Sequence, residues 1–140
     1  MRKKVFILLI TASCLSCATL QDIEMYRSKG DSIATTYNYD WGNVYDVMKI
    51  VLNNDEDLSI YLEKMNCTLE YAKDDKRIWV KMNGLGMGAG IYFFPLSDSK
   101  TKVEFVRSRF NKIFVSDKEI EQIIKKSMDI LNQNAMRSWC

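Results

Sequence analysis

The sequence contains no histidine. That removes the commonest general base, the Ser–His and Cys–His nucleophile pairs, and the commonest zinc ligand in one stroke. A long hydrophobic run is missing too. Val5 to Ile10 is solidly apolar and continues through Ala12 to Leu15, but Thr11, Ser13 and Ser16 interrupt it, and a spanning helix needs ~20 apolar residues. There is no polybasic stripe. Lys125-Lys126 and the group Arg107, Arg109 and Lys112 are local clusters with acids in their neighbourhood and read as solvated surface, so nucleic acid is not an expected partner. Proline occurs once, at Pro95, and no repeat stands out. Carboxylate chemistry survives these exclusions, yet Asp55-Glu56-Asp57 and Asp74-Asp75 fall at expected helix-start and turn positions, where acids serve capping and solubility. A calcium loop would need further ligands and a glycine at set spacing. No catalytic residue, metal site or cofactor is therefore expected.

What is present begins with the first nineteen residues, MRKKVFILLITASCLSCAT. Arg2, Lys3 and Lys4 form a basic head and Val5–Ile10 a short apolar core, the layout of a secretory signal peptide. Leu15-Ser16-Cys17-Ala18-Thr19 resembles the lipobox of bacterial lipoproteins, in which small residues precede a cysteine. The resemblance implies a diacylglyceryl group on the thiol, cleavage just before the cysteine and acylation of the new amine. On this chain the lipidation site is Cys17. The family's leucine three positions before the cysteine is replaced here by Cys14, with Leu15 one step late. Cys14, preceded by Thr11-Ala12-Ser13, is the rival site, and an ordinary cleaved signal peptide is the plain alternative. One acyl chain holds a protein only marginally, each buried methylene contributing ~0.8 kcal/mol, so a triacylated cysteine meets what stable anchoring requires. Ala18, by analogy with enterobacterial sorting, implies the periplasmic face of the outer membrane where a cell has one.

Cleavage before Cys17 leaves 124 of the 140 residues, enough for one domain. Removing the three basic residues of the leader leaves 17 Lys and Arg against 18 Asp and Glu, so the net charge of +2 belongs to the leader. Outside it only Cys67 and Cys140 remain. In an oxidising compartment they can pair, with a chain-entropy gain of ~4–5 kcal/mol. Two free thiols, or an intermolecular contact through Cys140, are the other outcomes.

Residues 17–32 read as the lipidated N-terminus and tether, and the folded domain as 33–136. Ile33–Tyr39 alternates β-branched and aromatic residues and predicts a strand. Asp40 reads as an N-cap, and Trp41, Val44, Tyr45, Met48, Val51 and Leu52 then share one helical face. Leu58, Tyr61, Leu62 and Met65 predict a second, short helix over about 55–65. Cys67–Met82 reads as a hairpin turning at Lys73–Lys76. Ile91–Leu96 and Lys102–Arg109 are two more strands, joined by a turn at Ser97–Lys100. Ser116 and Glu119 have capping-box spacing, opening a helix with Ile120, Ile123, Ile124 and Leu131 on one face. The order predicts an α+β fold of two layers, an antiparallel meandering sheet with its helices packed on one face.

Three motifs invite stronger readings. Gly84-Leu85-Gly86-Met87-Gly88-Ala89-Gly90 partly fits G-x-G-x-x-A, but a strand follows where a phosphate loop needs a helix N-terminus. Glycines at alternate positions instead permit close approach of a neighbour, or a bend or bulge. Ser97-Asp98-Ser99-Lys100 has the S-x-x-K spacing of penicillin-recognising enzymes, but lies in a tight turn. Trp41, Trp79, Tyr92, Phe93, Phe94 and Phe105 are core candidates, and more than a thin core needs, so some can form a patch or groove.

Gly88-Ala89-Gly90-Ile91-Tyr92-Phe93-Phe94-Pro95, followed by Thr101-Lys102-Val103-Glu104-Phe105, resembles a group of small uncharacterised bacterial lipoproteins with a G-x-G-I-Y-F-x-P segment. The likeness covers about Ile33–Leu131, with 53–66 reading as an insertion. It implies location and fold and carries no catalytic residues. The expectation is a lipid-anchored cell-envelope protein acting as a non-catalytic binding module, with the membrane and an envelope protein as partners. Two alternatives come from other classes. A carrier of a small apolar ligand would have a cavity behind Phe93 and Phe105, and a carboxylate enzyme would have acids converging in a cleft.

Overall fold

Asp40 begins the helical half of the domain. Its backbone is extended and its carboxylate accepts the Asn43 N–H at 3.0 Å, satisfying one of the orphan donors of a helix start. In the computed structural model, which describes residue 27 and residues 32–82, 89–107 and 115–139, that cap opens α1 (Trp41–Asn54), following strand β1 (Ser32–Tyr37). Then come α2 (Glu56–Lys64), β2 (Cys67–Ala72), β3 (Arg77–Met82), β4 (Ala89–Ser97), β5 (Lys100–Arg107) and α3 (Asp117–Ser138). The fold is α+β, five antiparallel strands with helices packed on the sheet.

The strand order is β1-β5-β4-β3-β2. β2 to β5 meander, whereas the first strand closes against the last, Ile33 opposite Phe105 and Tyr37 opposite Thr101. Ile91 lies between Ile78 of β3 and Phe105 of β5. Because side chains alternate across a strand, Ile33 and Tyr37, Val103 and Phe105, Ile91 and Phe93, and Ile78 all point to the helices and join one core with Val44, Tyr45, Met48 and Leu131. α1 lies on β4 and β5 and against α3, which explains why Val47 is buried along with Val44, Tyr45, Met48, Val51 and Leu52 of the expected stripe, while Trp41 is only half-buried.

The elements differ from the sequence reading chiefly at their ends. β1 stops at Tyr37, two residues early, because the chain must turn into the Asp40 cap. There the Thr101 hydroxyl donates to the Tyr39 carbonyl at 2.8 Å, and the Tyr39 hydroxyl to Asn132 of α3 at 2.7 Å. β4 takes in Ala89 and Gly90 and runs past Pro95, where the register with β5 shifts because proline has no N–H for the ladder. α2 forms where expected but buries no residue fully. It is held from outside. Asp55 caps it through the Leu58 N–H at 3.0 Å and accepts from Lys126 of α3 at 2.8 Å. The capping box is also present, Ser116 and Glu119 each bonding the other's backbone N–H.

Candidate functional site

Along β4 the positions facing the helices run Ala89, Ile91, Phe93, so side-chain volume falls toward the start of the strand. The consequence is a gap between sheet and helices at that end, a partly open cavity of about 50 Å³ walled by Val80 and Ile78 of β3, Ile91, Phe105 of β5, and Ile120 and Ile123 of α3. Leu52, Leu58, Leu69, Ala89 and Val115 complete its apolar wall. Space therefore lies behind Phe105. On the helix side of Phe93, Tyr45 packs its ring against it with centroids 5.0 Å apart, and Trp41 meets Tyr45 edge-on at 6.5 Å.

Arg107 also lines this cavity. It was expected on the surface with Arg109 and Lys112; the structure buries it to 6% exposure, while Arg109 and Lys112 lie outside the described residues. The alternation that turns Val103 and Phe105 inward turns Arg107 inward as well, and that was the signal available in the sequence. A buried charge must be paired. The guanidinium donates to the Val115 carbonyl and to the carboxylate of Asp117, at the first turn of α3. The partner is lopsided in exposure: the Arg107 side chain is 7% exposed, that of Asp117 73%.

Among the described residues acids gather in a pocket of about 50 Å³ lined by Asp55, Asp57 and Glu119 together with Tyr61 and Gln122. Two of the three are structural, Asp55 capping α2 and Glu119 closing the capping box. The Lys126 ammonium, helped by the Leu58 N–H and opposed by partial burial, holds the Asp55 carboxyl below its ordinary range, the reverse of what a general acid needs. Asp75 pairs with Arg77 at 3.0 Å in the β2–β3 turn. Among the described residues no group of three or more His, Cys, Asp or Glu is placed to hold a metal ion.

The remaining sequence motifs fall as follows. Cys14, Cys17, Cys140 and Gly84, Gly86 and Gly88 lie outside the described residues. Cys67 is a buried free thiol donating to the Met65 carbonyl at 3.5 Å, and burial pushes its pKa up. Gly90 is the closely approached glycine: a Cβ there would stand 2.8 Å from the Tyr92 ring. Ser97 and Lys100 are exposed at the β4–β5 turn. The aromatics divide between the two faces of the sheet. Phe93 and Phe105 are core, while Tyr92, Phe94 and Trp79 occupy the outer face under cations, Arg77 lying 4.3 Å from the Trp79 ring centre.

That outer face is covered at one point by Arg27. Its guanidinium stacks 4.4 Å over Phe94 and 5.1 Å over Tyr92 and pairs with Glu104 at 3.0 Å. Burial would raise the Glu104 carboxyl, but hydrogen bonds from Lys102 and Arg27 outweigh it and lower it. An open groove of about 390 Å³ runs past Arg27, Lys76, Arg77, Tyr92 and Phe94. Its charges are already engaged. Arg27 and Arg77 have acid partners, and Lys76 sits 5.1 Å over Trp41.

No protein-family model matches the chain, and no curated protein matches it. Among solved structures it is similar to the di-domain ARO/CYC (aromatase/cyclase) StfQ from the steffimycin biosynthetic pathway, with a TM-score of 0.56 and 11% identity over 76% of this chain and 46% of that one. The chain thus spans about half the length of that protein, and the likeness is one of fold.

Proposed function

We propose that this protein binds a slim apolar ligand between α3 and the sheet, without catalysing its conversion, and does so at the cell envelope while anchored by lipid on Cys17. The observation that carries the ligand reading is the cavity behind Phe105, walled by apolar atoms on both sheet and helix sides. Interiors are normally packed to crystal-like density, and a dry apolar cavity of ~150 Å³ is large enough to take benzene. A cavity of about 50 Å³ is narrower, so its natural guest is the end of an unbranched alkyl chain rather than a ring. The fold shared with an aromatase/cyclase is compatible with a ligand held inside. Binding rather than catalysis is supported by Asp55 and Glu119, which are occupied in helix capping, and by the absence of histidine. The anchor rests on the leader and the lipobox-like Leu15–Thr19.

The test is calorimetric titration of the purified full-length protein with decanol, beside Val80→Phe, which fills the cavity from β3. Wild type should bind and the variant should lose at least about tenfold in affinity, the scale of one lost hydrophobic contact at a core site. Equal binding by the two would place the ligand elsewhere.

A further inference from the structure

We infer that the cavity takes an amphipathic ligand, an alkyl chain ending in a carboxylate, and that Arg107 is the residue that holds its head. This rests on the reading of the cavity as the ligand site and names the class of ligand. The wall is apolar along β3, β4 and α3, and the one charged residue in it is Arg107, at the end of β5. Arg107 lines the space, and its guanidinium donates to the Val115 carbonyl and the Asp117 carboxylate. A chain end lodged against Ile91 and Phe105 therefore runs out past the one buried cation among the described residues.

The present partner of that cation is suited to exchange. Asp117 is 73% exposed, so on displacement its carboxylate returns to water at little cost, the common condition of a surface ion pair. The guanidinium is almost wholly buried and cannot be left without an anion. A ligand carboxylate answers both needs: it replaces Asp117, offers two oxygens to the planar fork, and lies near the N-terminal end of a 22-residue helix, where negative charge is favoured. An alcohol of the same length fills the cavity equally but cannot neutralise Arg107.

Decanoate and decanol titrated into the full-length protein at neutral pH separate these statements. Decanoate should bind at least about tenfold more tightly than decanol, the scale of a charge-assisted hydrogen bond. Arg107→Gln should bring the decanoate-to-decanol ratio close to one. Asp117→Asn, on an exposed side chain outside the cavity, should raise the ratio several-fold by removing the competing carboxylate. It decides the matter even if Arg107→Gln fails to fold. Equal affinities in wild type, a ratio unchanged in Arg107→Gln, or a ratio lowered in Asp117→Asn would each overturn the inference while leaving the apolar site standing. Failure of wild type to bind either compound would overturn both.

Discussion

Tyr37 and Ser127 meet across the core at 2.8 Å, ninety residues apart in the chain. Ser127 falls on the apolar stripe of α3 and is fully buried there. Its hydroxyl donates to the Ile124 carbonyl at 2.8 Å, leaving a lone pair for the Tyr37 hydroxyl. Burial pushes the Tyr37 phenol up to about 12. The folded chain therefore keeps a proton that the unfolded chain gives up at its ordinary value of 10.0. This contribution is fully present below pH 10 and is lost as pH rises through about 12. Urea titrations from pH 9 upward should show a steep alkaline fall in wild type and a shallower one in Tyr37→Phe, by roughly 2 kcal/mol at the top of the range. Superimposable curves would assign the fall to Tyr45, Tyr61 and Tyr71, which burial also raises. Nothing in the sequence marks this pair, since a serine within a helical stripe is ordinarily a surface residue that happens to lie on that side.

At the scale of elements, the two N-caps of α2 and α3 look alike in sequence but are used differently. Ser116 closes a local box with Glu119, both exposed. Asp55 is both the cap of α2 and the counter-ion of Lys126, with a side chain only 14% exposed. Ser116→Ala should cost about 1 kcal/mol, the usual worth of a cap. Asp55→Ala should cost more, about 2 kcal/mol, because the cap and the tie to α3 go together. The excess should vanish in a Lys126→Ala background, as measured by a double-mutant cycle in urea. The Asp55 carboxyl is held low, so its contribution is intact above the ordinary carboxylate value and disappears as pH falls through the lowered one. The existence and type of these elements was legible, because capping residues and apolar spacing act within one or two turns. Their ends were less so. β1 ends early and β4 begins early for reasons set by neighbours, the Asp40 cap in one case and pairing of Ala89 with Val80 and Arg107 in the other.

For the whole molecule, the proposed anchor and the outer face of the sheet limit one another. Arg27 is seated on Tyr92, Phe94 and Glu104, ten residues after Cys17. A chain reaches at most ~3.6 Å per residue, so a lipidated Cys17 would keep the domain within roughly 35 Å of the bilayer. Among the described residues no helix is long and apolar enough to cross a membrane, and attachment is proposed through lipid alone. Intact mass of the membrane-extracted protein should show the lipid on wild type and on Cys14→Ser, and its loss from Cys17→Ser. Lipid mass retained by Cys17→Ser would move the site to Cys14, and an unmodified wild type would remove the anchor.

The sequence by itself determined the order of elements, their caps and the α+β class, since periodicity and capping are read from residues a few positions apart. The tertiary structure decided which strands close the sheet, β1 meeting β5 across some seventy residues. It also decided that Tyr45 packs behind Phe93 while the described residues leave a cavity behind Phe105. The burial of Arg107 combines the two: its parity was written in β5, but the depth to which that parity carries it depends on α3 folding back over the strand end. Packing is a sum over contacts between distant segments, and neither a cavity nor a buried charge exists until those segments have met.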